Sequence, residues 1–327
     1  MGVLVDGAWH DQWHDPRDDS GASGGRFVRR ESQFRSWVTP DGAPGPTGEG
    51  GFRAEPGRYH LYVSLSCPWA HRTIVFRALK GLGHAIGMSV VHWLSREHGW
   101  TFEPAPGVVP DAVNGARYLH EVYAKASPKY TGRVTVPALW DRKRGTIVNN
   151  ESSELIRMFN SAFDGVGAAP GDYYPGALRA EIDEVNARVY ETLNNGVYRC
   201  GFATSQAAYD EAVGPLFDTL DWLEGRLAQR RYACGDRLTE ADVRLFTTLV
   251  RFDLVYHYHF KCNLRRLADY PNLWAYTRDL YQHPGIGATV DFGHIKRHYY
   301  ESMLRVNPSG IVPRGPVLDF DAPHGRG

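Results

Sequence analysis

The period of the hydrophobic pattern changes once along this chain of 327 residues. Up to residue 165, short apolar runs of alternating character are interleaved with a few helix-like segments, as in an α/β domain. After a linker rich in Gly, Pro and Asp at residues 165–176, apolar residues recur every three to four positions, as in amphipathic helices. We therefore predict an α/β domain followed by an all-helical domain.

The predicted elements of the first half occur in the order β-α-β and then β-β-α, which is the thioredoxin-like arrangement. Its first strand alternates as a half-buried strand does, and in this fold the proline before the third strand is commonly cis. The strands are predicted at residues 59–66, 88–94, 134–140 and 146–149. One helix is predicted to begin at Pro68 and to stop at Gly81, and a second to span residues 152–163. The first helix is predicted to bury a stripe formed by Ile74, Val75, Ala78 and Leu79.

Three segments lie outside this pattern. The Gly- and Pro-rich start predicts an extended arm with loops at residues 21–25 and 40–51, and the C-terminal end predicts a tail that wraps or frays. A long insertion at residues 95–133, with a short helix at 118–126, is predicted to serve a site. The domains are predicted as an N-terminal arm (1–54), a thioredoxin-like domain (55–165), a helical domain (176–306) and a tail (307–327).

Charge and hydropathy exclude several classes of function. The 37 basic and 37 acidic residues balance, and no run of like charges predicts nucleic-acid binding. No apolar run approaches the roughly 18 residues of a membrane span, and the first residues lack the pattern of a secretion signal. We therefore expect a cytoplasmic protein whose four cysteines are free thiols.

Cys67 stands where the first strand is predicted to run into the first helix, directly before Pro68. The first N–H groups of a helix lack internal partners and carry the positive end of its dipole, which favours an anion by up to about 1 kcal/mol. A thiol there becomes a thiolate more readily, and the thiolate is the nucleophile. Cys67 is therefore predicted to be catalytic, the alternative being an inert buried cysteine.

The position of the second thiol in a two-cysteine redox motif is occupied by Ala70. A disulfide formed on Cys67 must then be resolved by a thiol from elsewhere, and a small diffusible thiol is the natural candidate. Cys200, Cys234 or Cys262 could resolve it only if the helical domain brought one of them close.

A second candidate site lies at Asn149-Asn150-Glu151-Ser152-Ser153, where a predicted strand runs into a helix. Ser152 and the helix N–H groups could bind the free carboxylate of a peptide, and Glu151 could bind its ammonium group. The alternative is ordinary N-capping by Asn150 and Ser152.

These features, with several others, resemble the glutathione transferase superfamily and, within it, the xi class of glutathionyl-hydroquinone reductases. The resemblance covers nearly the whole chain. The segments that carry it are Phe27-Val28-Arg29-Arg30 with Ser32, Phe34, Arg35 and Trp37; Ser66-Cys67-Pro68-Trp69-Ala70-His71-Arg72; Val134-Thr135-Val136-Pro137; Asn149-Asn150-Glu151-Ser152; Asn194-Asn195-Gly196-Val197-Tyr198; Arg251-Phe252-Asp253 through Phe260-Lys261-Cys262-Asn263; and His294-Ile295-Lys296-Arg297-His298-Tyr299-Tyr300.

The resemblance implies the glutathione transferase fold and a set of site residues. Cys67 would be the nucleophile, and Tyr198 the proton donor or acceptor. Tyr256 and Tyr299 would line the substrate pocket near Cys67 and help to keep its thiol ionised. The residues implied to bind the thiol tripeptide are Trp100, Arg133, Val134, Thr135, Val136, Glu151 and Ser152.

The implied reaction is the glutathione-dependent reduction of S-glutathionyl-hydroquinones. The Cys67 thiolate would attack the glutathione sulfur while Tyr198 assists proton transfer to the ring, and a second glutathione would resolve the mixed disulfide. The resemblance also implies a homodimer, and mycothiol could take the place of glutathione.

Two other functions stay open at this stage. An omega-type deglutathionylase or dehydroascorbate reductase would use the same cysteine, and a transferase-like binding module would use none. No metal is expected, because His257-Tyr258-His259 has no third ligand at a conventional spacing.

Overall fold

The computed structural model describes residues 2–11, 24–27, 29 and 31–326. The chain divides into two compact units. The first contains the described residues of 1–14, 30–171 and 289–298, and the second those of 15–29, 172–288 and 299–327. The first unit thus includes residues 289–298, which the sequence analysis assigned to the helical domain. The predicted domain boundaries stay predictions.

A four-stranded sheet and a three-stranded sheet form the β-structure of the first unit. The strands are β1 (Val3–Val5), β2 (Ala8–His10), β3 (Tyr59–Val63), β4 (Ile86–Val90), β5 (Gly132–Arg133), β6 (Ala138–Asp141) and β7 (Thr146–Asn149). The larger sheet has the order β4-β3-β6-β7, with β3 parallel to β4 and antiparallel to β6. The smaller has the order β2-β1-β5 and is antiparallel.

Nine α-helices are present among the described residues, and short 3₁₀ and π turns extend or connect them. The α-helices are α1 (Pro68–Leu79), α2 (Leu119–Ala126), α3 (Ser152–Ser161), α4 (Arg179–Val189), α5 (Gly196–Phe202), α6 (Gln206–Leu227), α7 (Glu240–Arg251), α8 (Pro271–Gln282) and α9 (Phe292–Arg297). The 3₁₀ turns are Leu82–His84, Asp164–Val166, Gly176–Leu178, Leu267–Asp269 and Gly287–Thr289, and the π turns are Tyr190–Asn194, Phe252–Tyr256 and His298–Ser302.

The strand β3 is buried on both faces, so its prediction as a half-buried strand was wrong. It lies at the centre of the sheet, between β4 and β6. Its polar side chains find partners instead of water, since Tyr62 donates to Asp111 (2.8 Å) and the His60 ring bonds Ser89 (2.8 Å). Burial lowers the pKa of His60 to about 4, so that the ring is neutral at neutral pH.

The helix α1 begins and ends as predicted, but the predicted stripe does not describe its burial. It packs against α3 and β3, and nearly all of its first two turns are buried. Of the predicted stripe, Ile74 and Val75 are buried whereas Ala78 is exposed and Leu79 half-buried. Gly81 follows the helix with a φ of +59°, a conformation that glycine adopts without strain.

The N-terminal arm is more ordered than its composition predicts. Its first residues form the hairpin β1–β2, and Val38 and Phe52 are buried. The predicted loop at 21–25 lies partly outside the described residues, as do Val28 and Arg30 of the family segment.

The second unit is helical, as predicted. The sequence Thr239-Glu240-Ala241-Asp242 predicts a capping box, with Asp242 in the place of the usual Glu or Gln. The box is present at the start of α7, where Thr239 N donates to the Asp242 carboxylate (2.8 Å). Asp242 is fully buried and also accepts from Ala233 N (2.7 Å) and the Tyr276 hydroxyl (2.6 Å). Burial raises its pKa, although these hydrogen bonds oppose the increase.

The C-terminal tail wraps onto the second unit. Phe320 packs against Trp274 and Tyr281, with ring centroids 5.1 Å apart in both pairs. Arg326 donates to the backbone carbonyls of Leu227 (3.0 Å) and Arg231 (2.9 Å), near the end of α6.

In the described part of the chain, no helix has the length and apolar character that crossing a bilayer requires.

Candidate active site

Cys67 is the N-cap residue of α1 and is partly exposed. Its thiol donates to the backbone carbonyl of Val136, with an S···O distance of 3.6 Å. The other three cysteines are buried, and burial raises the pKa of Cys234 to about 12 and that of Cys262 well above its ordinary value. Cys67 is thus the one cysteine that combines access to solvent with a helix N-terminus.

The segment opposite Cys67 is held by buried hydrogen bonds. The Val136–Pro137 peptide bond is cis, as predicted. The Tyr123 hydroxyl donates to the carbonyl of Thr135 (2.7 Å) and accepts from the side chain of Asn150 (3.2 Å). The structure therefore brings the backbone of Thr135 and Val136, two of the predicted thiol-binding residues, to the side of Cys67.

Glu151 is the N-cap of α3 and accepts hydrogen bonds from the backbone N–H and the hydroxyl of Ser153 (3.0 and 2.9 Å). The alternative that Asn150 and Ser152 cap this helix was wrong. Asn150 instead accepts from the backbone N–H of Phe34 (3.2 Å), and Ser152 is the first helical residue.

Burial alone would raise the pKa of Glu151, but the hydrogen bonds from Ser153, the nearby Arg72 guanidinium and the Ser32 hydroxyl lower it below its ordinary value of 4.5. The carboxylate is thus charged at neutral pH and ready to bind a cation. The charged form is favoured in the folded state, so its contribution to stability is present above about pH 4.5 and is lost as the pH falls through the lower folded pKa.

Arg72 and Ser32 are functional candidates to which the sequence assigned no role. Arg72 is buried, its guanidinium lies 4.4 Å from the Trp69 ring centroid, and its Nη1 approaches the Ser152 hydroxyl (3.5 Å). Ser32 donates to Glu151 (3.2 Å) from the N-terminal arm. The signal that could have pointed to Arg72 was its charge within the first turns of α1, which the structure buries. A buried charge is normally paired with another group.

The resemblance implies that Glu151 binds the thiol tripeptide glutathione. On that interpretation, replacing Glu151 by glutamine is expected to weaken glutathione binding about ten- to a hundredfold, since a hydrogen bond to a charged partner contributes about 1.5–3 kcal/mol. The glutamine side chain keeps an oxygen that can accept from Ser153 but loses the charge that Arg72 stabilises. The melting temperature at neutral pH should therefore fall, but by less than for Glu151→Ala. Titration calorimetry would measure the Kd at about pH 6 and about pH 8, between which Glu151 stays ionised and the ratio of the two affinities should be constant. Ser153→Ala is the matched control, because it removes one hydrogen bond to Glu151 but keeps the charge. An unchanged Kd for Glu151→Gln would contradict the proposed role.

Trp100 and Arg133 lie at the two ends of the long insertion in the first unit. Trp100 is buried, and its ring stacks on His298 with centroids 4.9 Å apart. Arg133 ends β5, and burial lowers its pKa without discharging so basic a group. Val134 follows Arg133 and is also buried. Their contacts with a thiol tripeptide stay predictions.

Tyr198, Tyr256 and Tyr299 form one hydroxyl cluster in the second unit. The Tyr299 hydroxyl lies 2.6 Å from that of Tyr198 and 3.1 Å from that of Tyr256. Burial raises the pKa of Tyr256 and Tyr299 well above 10, so both hydroxyls are neutral donors at physiological pH. The structure therefore joins the three predicted tyrosines, although their residue numbers differ by as much as 101.

The described residues contain no group of three His, Cys, Asp or Glu side chains arranged to hold a metal ion. The chemistry available to the first unit is that of a thiol at a helix N-terminus. The second unit offers neutral phenolic hydroxyls.

Comparison with known proteins identifies relatives of both units. The N-terminal domain model of glutathione S-transferase matches residues 66–162, and the C-terminal domain model matches residues 206–279. The chain is 58% identical over 327 residues to glutathionyl-hydroquinone reductase YqjG of Escherichia coli (strain K12), covering 100% of this chain and 98% of YqjG. It is 60% identical over 317 residues to glutathionyl-hydroquinone reductase PcpF of Sphingobium chlorophenolicum, covering 97% of each chain.

Solved structures agree with these matches. The glutathione-bound structure of Escherichia coli K-12 YqjG superimposes with a TM-score of 0.91 at 55% identity, covering 99% of each chain. The xi-class transferase of Natrialba magadii also gives a TM-score of 0.91, at 49% identity, covering 100% of this chain and 97% of the other.

Proposed function

Because this chain belongs to the xi class of the glutathione transferase superfamily, we propose that it reduces S-glutathionyl-hydroquinones to hydroquinones, with glutathione as the reductant. The observation that carries the proposal is the partly exposed thiol of Cys67 at the start of α1, with Ala70 in place of a second thiol. Relatives at 58% and 60% identity carry the name of this activity.

The reaction takes place in two thiol exchanges. In the first, the Cys67 thiolate attacks the glutathionyl sulfur, an S–S bond forms and the bond from sulfur to the aromatic ring breaks. The ring takes the electron pair and a proton and leaves as hydroquinone. In the second, a glutathione thiolate attacks the mixed disulfide, which releases oxidised glutathione and restores the Cys67 thiolate. The ring is reduced, and two glutathione sulfurs are oxidised to one disulfide.

Tyr198 is the proton donor to the ring in this mechanism. A chain of hydroxyls supports this role, since Tyr299 bonds both Tyr198 and Tyr256. For Tyr198 to direct its proton at a substrate, Tyr256 donates to Tyr299 and Tyr299 donates to Tyr198. Each hydroxyl has a single proton, so in this arrangement the protons of Tyr256 and Tyr299 are used within the cluster. Their proposed role in keeping Cys67 ionised is therefore exerted through the oriented dipoles of the cluster and not by direct donation to the sulfur.

Glutathione is held in the first unit. Glu151 binds the ammonium group and Ser152, at the first turn of α3, binds the adjacent carboxylate.

The backbone of Val134 to Val136 pairs with the peptide, supported by the proximity of the Val136 carbonyl to Cys67. Trp100 and Arg133 complete the binding site. Arg72 positions Ser152 and favours the charged form of Glu151.

Comparison of turnover with an S-glutathionyl-hydroquinone and with dehydroascorbate tests the proposed function. We expect kcat/KM to be at least about a hundredfold higher for the hydroquinone conjugate than for dehydroascorbate. A site with a buried hydroxyl cluster favours a substrate that accepts a proton from it. A preference for dehydroascorbate would instead indicate an omega-type reductase. The assay with mycothiol conjugates in parallel identifies the thiol, and turnover of none of them would indicate a binding module.

We also propose that the enzyme is a homodimer in the cytoplasm. The resemblance to the xi class supports the dimer, and the need for reduced glutathione supports the compartment. Sedimentation of the purified protein would measure the mass in solution, and a monomer at micromolar concentration would contradict the dimer.

A further inference from the structure

The hairpin β1–β2 contacts both ends of the insertion that carries Trp100 and Arg133. We propose that this N-terminal hairpin positions these two residues for glutathione binding and that Trp9 is its principal positioning residue. The inference rests on the proposed function, because the roles of Trp100 and Arg133 belong to it.

The strand β1 holds the end of the insertion. Val3 pairs with Arg133, and Leu4, which is almost fully buried, pairs with Gly132. Two further contacts continue this edge, since Asp6 N donates to the Thr131 hydroxyl (2.9 Å) and Gly7 N donates to the Tyr130 carbonyl (3.0 Å). Among the described strands, β1 is the one that pairs with β5. The backbone of Arg133 therefore depends on the hairpin for its strand pairing.

The approach of the hairpin to this edge is very close. Gly7 has a φ of +77°, and a Cβ atom there would overlap the carbonyl oxygen of Pro128. A side chain would thus force the turn between β1 and β2 away from the insertion. Gly7 therefore lets the backbone of the turn between β1 and β2 lie directly against the insertion, in addition to reversing the direction of the chain.

Trp9 holds the beginning of the insertion. Its indole N–H lies within hydrogen-bond distance of the Glu97 carbonyl (3.1 Å) and the Asp11 carboxylate (2.6 Å). Its ring stacks on His120, with centroids 4.4 Å apart and an interplanar angle of 11°. The same ring covers Gly99, where a Cβ atom would lie 2.9 Å from it. Gly99 directly precedes Trp100, so Trp9 restrains the turn that presents Trp100.

The two contacts together close a long loop. A free loop of this length would sample many conformations, and ordering it on binding would oppose glutathione affinity. The insertion has order of its own in α2 and in the hydrogen bond from Tyr123 to Thr135, and the hairpin adds restraint near its two ends. This added restraint favours binding through preorganisation. Cys67 lies on a different segment, at the N-terminus of α1. The hairpin should therefore affect the affinity for glutathione and leave the chemical step at Cys67 unchanged.

The test compares Trp9→Ala and Trp9→Phe in the full-length protein, with Trp222→Ala as the control. Trp222 is also half-buried and contacts arginines (Arg188 at 4.3 Å and Arg226 at 5.3 Å), but it lies in the second unit. We expect Trp9→Ala to raise the KM for glutathione about tenfold with kcat changed by less than about twofold, because the lost interaction would serve the ground state and the transition state equally. Trp9→Phe keeps a ring for His120 and should recover most of the affinity. Trp222→Ala should lower the melting temperature and leave KM unchanged.

The Kd for glutathione, measured by calorimetry for Trp9→Phe, Trp9→Ala, Trp100→Ala and Arg133→Gln, separates the two possible failures. If Trp100→Ala and Arg133→Gln weaken binding but both Trp9 variants bind as the wild type does, the positioning role of the hairpin is overturned. If Trp100→Ala and Arg133→Gln also bind normally, the proposed glutathione site itself is wrong. If Trp9→Ala and Trp222→Ala lowered kcat and raised KM to the same extent as each other, the effect would be merely structural and the inference would be overturned.

Discussion

Replacing Cys67 by serine is expected to lower kcat/KM for an S-glutathionyl-hydroquinone by at least about 10⁴-fold, the scale seen when a catalytic nucleophile is removed. A serine hydroxyl is not ionised at neutral pH and cannot form the mixed disulfide with glutathione, so both thiol exchanges are blocked. The measurement is steady-state release of hydroquinone in the presence of glutathione.

Cys200→Ala is the matched control for the Cys67 variant. Cys200 is 2% exposed and lies in α5, so its loss should change stability slightly and turnover by less than about twofold. A Cys67→Ser protein that kept a tenth of the wild-type rate would contradict the nucleophilic role. The glutathione Kd should be nearly unchanged, because Cys67 is not among the groups proposed to bind the two ends of the tripeptide.

Replacing Tyr198 by phenylalanine is expected to lower kcat by about 10²- to 10⁴-fold, the range for loss of a general acid. The substitution removes the hydroxyl that lies 2.6 Å from that of Tyr299 and leaves the ring packed between Phe202 and Phe260. The loss should appear in the first exchange, measured as the single-turnover rate of hydroquinone release. Resolution of a preformed mixed disulfide by glutathione should keep its wild-type rate.

Tyr300→Phe controls for the loss of a buried hydroxyl in the same region. Tyr300 donates to the Leu254 carbonyl (3.3 Å), so its replacement removes a hydrogen bond without removing a member of the hydroxyl cluster. It should affect stability by about 1 kcal/mol and leave kcat within about twofold. Equal rates for Tyr198→Phe and the wild type would exclude Tyr198 as the proton donor.

Local patterns in the sequence predicted much of the fold. The junction at Cys67-Pro68, the helix end at Gly81 and the cis peptide bond before Pro137 are each determined by two or three neighbouring residues. The capping box at Thr239 is a four-residue pattern. In each case the physical cause lies within one turn of chain, which a sequence displays directly.

Features that depend on distant contacts were missed. The strands β1 and β2 have three residues each, too few for a period, and β1 pairs with β5 more than a hundred residues later. The double-sided burial of β3 depends on its neighbours in the sheet, which alternation cannot reveal. Arg72 received no role from the sequence because its partner Ser152 lies on another helix, 80 residues later in the chain.

The residues of the candidate site also fall into two groups, those that local sequence patterns predicted and those that they did not. Cys67 and the segment at Glu151 follow from the chemistry of helix starts, although the sequence did not reveal that Glu151 itself caps α3. Tyr198, Tyr256 and Tyr299 have no common local signal, and their prediction came from the family resemblance alone. Their shared hydrogen bonds are a property of the folded second unit.

The mass of the protein after reaction with an S-glutathionyl-hydroquinone, in the absence of free glutathione, tests the mixed-disulfide cycle most directly. We expect one hydroquinone released per chain and one glutathionyl group attached to the peptide that contains Cys67. Added glutathione should then remove the group and release one oxidised glutathione. Release of hydroquinone without modification of Cys67, or a glutathionyl group on Cys200, Cys234 or Cys262 instead, would contradict the mechanism.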